Sequence, residues 1–73
     1  MEIIYKVKEY RLKRGFTIRG LALKSSVSKS EISDIERGVI HPSVFTICLL
    51  ACALQVDARE LFEYKVSKIT DKC

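Results

Sequence analysis

Apolar residues recur along this chain at helical spacing, and the pattern is broken at short intervals by glycine, proline or small polar residues. Ile3, Val7 and Tyr10, with charges between them, predict a first helix over residues 4–14, ended by Gly15 and underlain by Phe16. Thr17 is a good N-cap for a second helix over about residues 17–24, with Leu21 and Ala22 facing inward. Ser25 and Ser26 break the pattern and Val27 follows. Ser28 then caps a third helix over about residues 28–37. Glu31, three residues on, makes a capping box, and Ile32 and Ile35 face inward. Gly38 stops this helix. After a loop over residues 38–42, Ser43 caps a fourth helix over residues 44–54, whose core face is Ile47, Leu50, Ala51 and Leu54. Asp57, with Glu60 as capping-box partner, predicts a fifth helix, and Leu61 and Phe62 close the core.

The two ends follow another rhythm. Glu2, Ile3, Ile4 and Tyr5 are rich in β-branched and aromatic types, and Phe62, Tyr64 and Val66 alternate with Glu63, Lys65 and Ser67. Residues 2–5 and 62–66 can therefore pair as a small sheet. A frayed tail is the competing reading, because one isolated pair of strands is only marginally stable. Residues 70–73 are expected to be disordered. The fold class expected is all-α, a compact bundle of five helices in one domain over residues 1–73, with a tail over about 63–73.

Residues 17–38, TIRGLALKSSVSKSEISDIERG, read as two short helices joined by a tight turn. Two such helices crossing steeply can place the second in a DNA major groove. This segment, continued by HPSVFTICLLACALQVDARELF, resembles the helix-turn-helix of the Cro and phage-repressor type, the XRE family, over roughly residues 4–62. The resemblance implies a five-helix lambda-repressor-like DNA-binding domain.

Charge distribution agrees with such a partner. The 73 residues carry a net charge of +4. Lys6, Lys8, Arg11, Lys13, Arg14, Arg19, Lys24 and Lys29 all precede residue 30, whereas Glu31, Asp34, Glu36 and Asp57 lie beyond it. A one-sided basic surface is what phosphate binding needs, and a solvated charged face is the plainer alternative. An enzyme is not expected: there is one His, no Trp, no Gly-rich phosphate loop and no cluster of metal ligands, and no cofactor is implied. Cys48, Cys52 and Cys73 form an odd set with no secretory segment before them, read as reduced thiols of a cytoplasmic protein. No apolar run is long enough to span a bilayer, and no membrane partner is expected.

The start of the third helix places Lys29, Ser30, Ser33 and Asp34 at the DNA. Matching the family pattern implies that Lys29, Ser30 and Asp34 touch base edges. Lys29 suits guanine O6 and N7, Asp34 suits cytosine N4, and Ser30 suits several bases. Phosphate contacts are expected from helix ends and basic or hydroxyl side chains, here Thr17, Arg19, Ser28 and His41. The family usually has Gln just after the helix-two cap; this chain has Ile18, and Arg19 is the available substitute. Val39, Ile40 and His41 stand where the family often has basic and amide residues. Arg11 and Glu36 match a family salt bridge that holds helix one against helix three.

The fourth helix is apolar beyond its core face. Phe45, Cys48, Leu49 and Cys52 lie on another face, and a helix apolar all round is buried all round or meets a partner. These four are expected at a two-fold homodimer interface, with fold-back of Tyr64, Val66 and Ile69 as the competing cover. Cys48 and Cys52, one turn apart, are read as interface thiols rather than as a metal or redox pair. The expected function is a sequence-specific transcriptional regulator of double-stranded DNA, a repressor that binds a palindromic operator as a homodimer through the major groove. The alternative is an antitoxin or co-regulator that holds a small protein partner on the apolar helix-four face.

Overall fold

Four capping side chains punctuate the chain and set its helical turns. In a computed structural model, which describes residues 1–66, the order is β1 (Glu2–Tyr5), α1 (Val7–Lys13), α2 (Ile18–Ser25), α3 (Lys29–Glu36), α4 (Val44–Leu54), a 3₁₀ turn (Ala58–Leu61) and β2 (Phe62–Lys65). Thr17, Ser28 and Ser43 each accept a hydrogen bond from the backbone N–H three residues on, as N-caps do, and start α2, α3 and α4. Asp57 starts the 3₁₀ turn by accepting from the Arg59 N–H. The Arg59 guanidinium also donates to this carboxylate, and the two interactions hold its pKa well below the ordinary range, at about 2.

Four expectations are corrected. The first helix starts at Val7 rather than at residue 4, because Glu2–Tyr5 pairs as a strand. Lys6 offers α1 no side-chain cap; its backbone N–H instead donates to the Leu61 carbonyl at 2.7 Å and anchors the entry. The fifth helix is a single 3₁₀ turn, so four α-helices and a two-stranded sheet make up the mainly helical fold. Its capping box does not form: Glu60 Oε1 accepts from the Tyr10 hydroxyl at 3.1 Å. Glu31 likewise turns away from its own helix start, and its carboxylate accepts from the Thr46 hydroxyl at 3.4 Å.

The sheet is antiparallel, with Glu2 opposite Lys65, Ile3 opposite Tyr64, Ile4 opposite Glu63 and Tyr5 opposite Phe62. The frayed-tail alternative thus fails for residues 62–65, and Val66 lies just past β2. An isolated pair of strands would be marginal, but Ile3, Tyr5 and Phe62 are half-buried on one face, and Lys6 pairs with Glu63 at 2.8 Å. The expected disorder of residues 70–73 and the fold-back of Ile69 lie outside the described residues.

Core packing centres on α4, which buries Ile47, Leu50, Ala51, Ala53 and Leu54. Against them pack Val7 of α1, Leu21 of α2, Val27 of the turn, Ile32 and Ile35 of α3, and Leu61. Each large side chain removed from water stabilises the fold by about 1.5–3 kcal/mol. Helices α1 and α3 end in the same way, on glycines at positive φ: Gly15 (78°) and Gly38 (75°). Phe16 N–H closes back to Arg11 and Val39 N–H to Asp34, the six-residue closure that satisfies the last carbonyls of a helix.

Candidate nucleic-acid interface

The turn between α2 and α3 sets the geometry of the whole surface. Ser25 is buried, and its hydroxyl accepts from the Val27 N–H at 3.2 Å. Ser26 takes the left-handed conformation (φ 66°), and Val27 is pinned in the core. A left-handed non-glycine residue is held there only when its neighbours over-determine it, as Ser25 and Val27 do. Ser28 then caps α3 at a fixed angle.

Ile32 and Ile35 turn one face of α3 into the core. Lys29 and Ser30 are exposed on its first turn, and Ser33 and Asp34 are half-buried on the next. Positions 29, 30, 33 and 34 therefore form one outward strip, and the structure brings the four expected base-reading residues together. Asp34 is not a bare carboxylate: it accepts from the Arg37 guanidinium, one turn on. Arg37 is exposed and was not among the residues expected from sequence, although its i, i+3 spacing from Asp34 at the helix end was the available signal.

The expected phosphate ligands divide. Arg19 and Lys29, with Leu23, Ser26 and Ser28, line an open depression between α2 and α3. The hydroxyls of Thr17 and Ser28 are exposed but already accept the capping bonds, so each keeps an O–H to donate. His41 is exposed on the loop after α3, and its Nδ1 lies 2.9 Å from the Tyr5 hydroxyl. Tyr5 was not anticipated, because no local pattern links positions 36 residues apart.

Arg11 is the clasp behind the surface. Its Nε and Nη2 donate to the two Glu36 oxygens at 2.7 and 3.1 Å, and its Nη1 donates to the Phe16 carbonyl at 2.9 Å. The side chains are only 9% and 6% exposed. One guanidinium thus joins α1, the end of α3 and the residue that leads into α2. Of the eight basic residues before position 30, Lys6 and Arg11 are occupied by carboxylates. The other six have no ion pair among the described residues.

The outer face of α4 is open. Val44 is 79% and Phe45 72% exposed, and Cys48 and Cys52 are exposed free thiols. Leu49 is partly buried against the core. Tyr64 and Val66 are themselves exposed, so the competing fold-back fails for these two residues. Among the described residues no group of three or more His, Cys, Asp or Glu could hold a metal, and no helix is long and apolar enough to cross a membrane.

Known proteins share this arrangement. A family model described as helix-turn-helix matches residues 7–61. The HTH-type transcriptional regulator SlrR of Bacillus subtilis is 43% identical over 58 residues, 78% of this chain and 38% of that protein. SinR of the same organism is 33% identical over 61 residues, 82% of this chain and 55% of SinR. The chain thus spans between about a third and just over half of these relatives. Among solved structures, the restriction-modification controller protein C.AhdI of Aeromonas hydrophila superposes with a TM-score of 0.73 at 33% identity, covering 75% of this chain and 83% of that one. SinR in its complex with SinI gives a TM-score of 0.72 at 32% identity, over 75% of this chain and 54% of that one.

Proposed function

We propose, from the premise that this chain belongs to the helix-turn-helix family of transcriptional regulators of the XRE type, that it reads double-stranded DNA with α3 and represses transcription by occupying an operator. The observation that carries this reading is the strip of Lys29, Ser30, Ser33 and Asp34. It faces outward on a helix that Ser25, Val27 and the Arg11–Glu36 pair hold rigidly. Rigid placement matters because a base contact needs its donor positioned before DNA arrives. Lys29 carries the longest reach and a full charge for guanine, while Ser30 and Ser33 supply short adaptable hydroxyls. The Arg37 partner offsets the repulsion between Asp34 and the phosphates.

Around the strip, Arg19, the α2 N-terminus, Thr17, Ser28 and His41 supply phosphate contacts that fix the register. A homodimer through Val44, Phe45, Cys48, Leu49 and Cys52 completes the proposal. The α4 sequence carries no charge from Val44 to Leu54, so this face meets a copy of itself without like-charge repulsion. A two-fold pair presents two recognition helices about 34 Å apart, one turn of DNA, which suits a palindromic operator. The second reading, an antitoxin or co-regulator holding a small protein partner, rests on the same open α4 face. SinR, solved in complex with SinI, is a relative known with a protein partner.

Lys29→Ala tests the site. Its affinity for a duplex selected by the wild-type protein should fall by about 1–3 kcal/mol, and the preference at one base position per half-site should relax. Fluorescence anisotropy titration measures the first and repeated selection the second. Unchanged affinity and unchanged preference would remove Lys29 from the base-reading set.

A further inference from the structure

The contact between Tyr5 and His41 joins β1 to the loop that leaves the recognition helix. The phenol oxygen and His41 Nδ1 are 2.9 Å apart, with the rings tilted at 55° and their centres 5.9 Å apart. Tyr5 is not free to wander. It sits opposite Phe62 in the strand register, and the next residue's N–H is fastened to the Leu61 carbonyl. Its ring also lines an apolar cleft with Pro42 and Val44, at the start of α4. His41 itself is exposed, and Ile40 beside it packs against the core, so the imidazole is held at the surface from both sides.

The direction of the hydrogen bond at Nδ1 determines what the other ring nitrogen offers. A tyrosine hydroxyl both donates and accepts. When it donates to Nδ1, a neutral imidazole carries its proton on Nε2. When it accepts from an Nδ1–H of the charged ring, Nε2 again carries a proton. Only a neutral ring that donates its Nδ1–H to the tyrosine oxygen leaves Nε2 bare, and an anionic oxygen recruits the forms that carry Nε2–H. Outer partners fix ring orientation and tautomer in this way at metal sites, and the same physics applies to any acceptor.

We propose that Tyr5 is a positioning residue that sets His41 to donate through Nε2–H to a DNA phosphate oxygen beside the C-terminal end of α3. This rests on the reading of α3 as the recognition helix. The terminal β-pair then has two roles, since its first strand holds the DNA-facing loop as well as closing the core.

The chain has a single histidine, so ¹⁵N-histidine labelling gives one imidazole spectrum. The probe is a duplex recovered by selection with the wild-type protein. In the wild type, Nε2 should be protonated, and its signal should move when the duplex is added. Tyr5→Phe keeps the ring and should leave the melting temperature nearly unchanged. It should mix the tautomers and weaken binding about 3- to 10-fold, the range for one lost hydrogen bond. His41→Ala should lose a similar factor, and the double variant should lose no more than His41→Ala alone. Tyr5→Phe with wild-type affinity and an unchanged imidazole spectrum would overturn the positioning role while leaving α3 as the reader. Failure of the wild type to select any duplex would overturn both.

Discussion

Glu36→Ala should destabilise the protein by about 3–5 kcal/mol, the usual consequence of removing one partner from a buried ion pair. The Arg11 guanidinium would keep its bond to the Phe16 carbonyl but lose both bonds to Glu36 in a place with almost no access to water. A domain of this size has a total stability of about 4–11 kcal/mol. The variant should therefore melt more than about 12 °C below the wild type, since about 1 kcal/mol moves the midpoint of a small domain by 4–8 °C. Thermal and urea unfolding followed by circular dichroism give the number. Replacing both partners by apolar residues, Arg11→Met with Glu36→Leu, should restore much of the stability, because no charge is then left stranded. That double variant loses the clasp between α1, α3 and the entry to α2, so operator binding should stay weak after folding is rescued. A loss under about 1 kcal/mol in Glu36→Ala would mean that the pair behaves as a surface salt bridge.

Phe45→Asp should convert a dimer into a folded monomer. Phe45 is 72% exposed within one chain, so a carboxylate there costs the monomer little. In a two-fold interface, it would bring two like charges together in an apolar seam. Sedimentation velocity should show the mass halve while the helical signal stays the same. Operator affinity should fall by about 10²–10⁴-fold, the factor that linking two half-site contacts supplies. Leu49→Asp is a poorer test, because Leu49 packs partly against the core and its loss would also disturb folding. An unchanged solution mass for Phe45→Asp would remove α4 as the interface and direct attention to a different protein partner.

Features carried by neighbours in sequence were legible in advance. Ser28, Ser43 and Thr17 cap their helices because a hydroxyl reaches a backbone N–H three residues away. The α4 core face follows from 3.6-residue spacing, and Ile47, Leu50, Ala51 and Leu54 are all buried. The start of α1 was misplaced because Ile3 fits the helical period as well as the strand period. Only its pairing opposite Tyr64, far along the chain, decides between them. Glu60 and Glu31 sit at good capping-box spacing, yet each carboxylate goes to a hydroxyl on a distant element. The Tyr5–His41 contact belongs to the same class, since no periodicity encodes which loop a strand will meet. The outward strip on α3 was readable because Ile32 and Ile35 face the core and leave positions 29, 30, 33 and 34 outside.

Selection of bound duplexes from random DNA, at low and at near-physiological salt, bears most directly on the proposed role. The predicted result is an enriched inverted repeat at both salt concentrations, with half-sites about one helical turn apart. Recovery of no motif, with binding lost steeply as salt rises, would mean phosphate attraction alone and would contradict sequence-specific reading by α3.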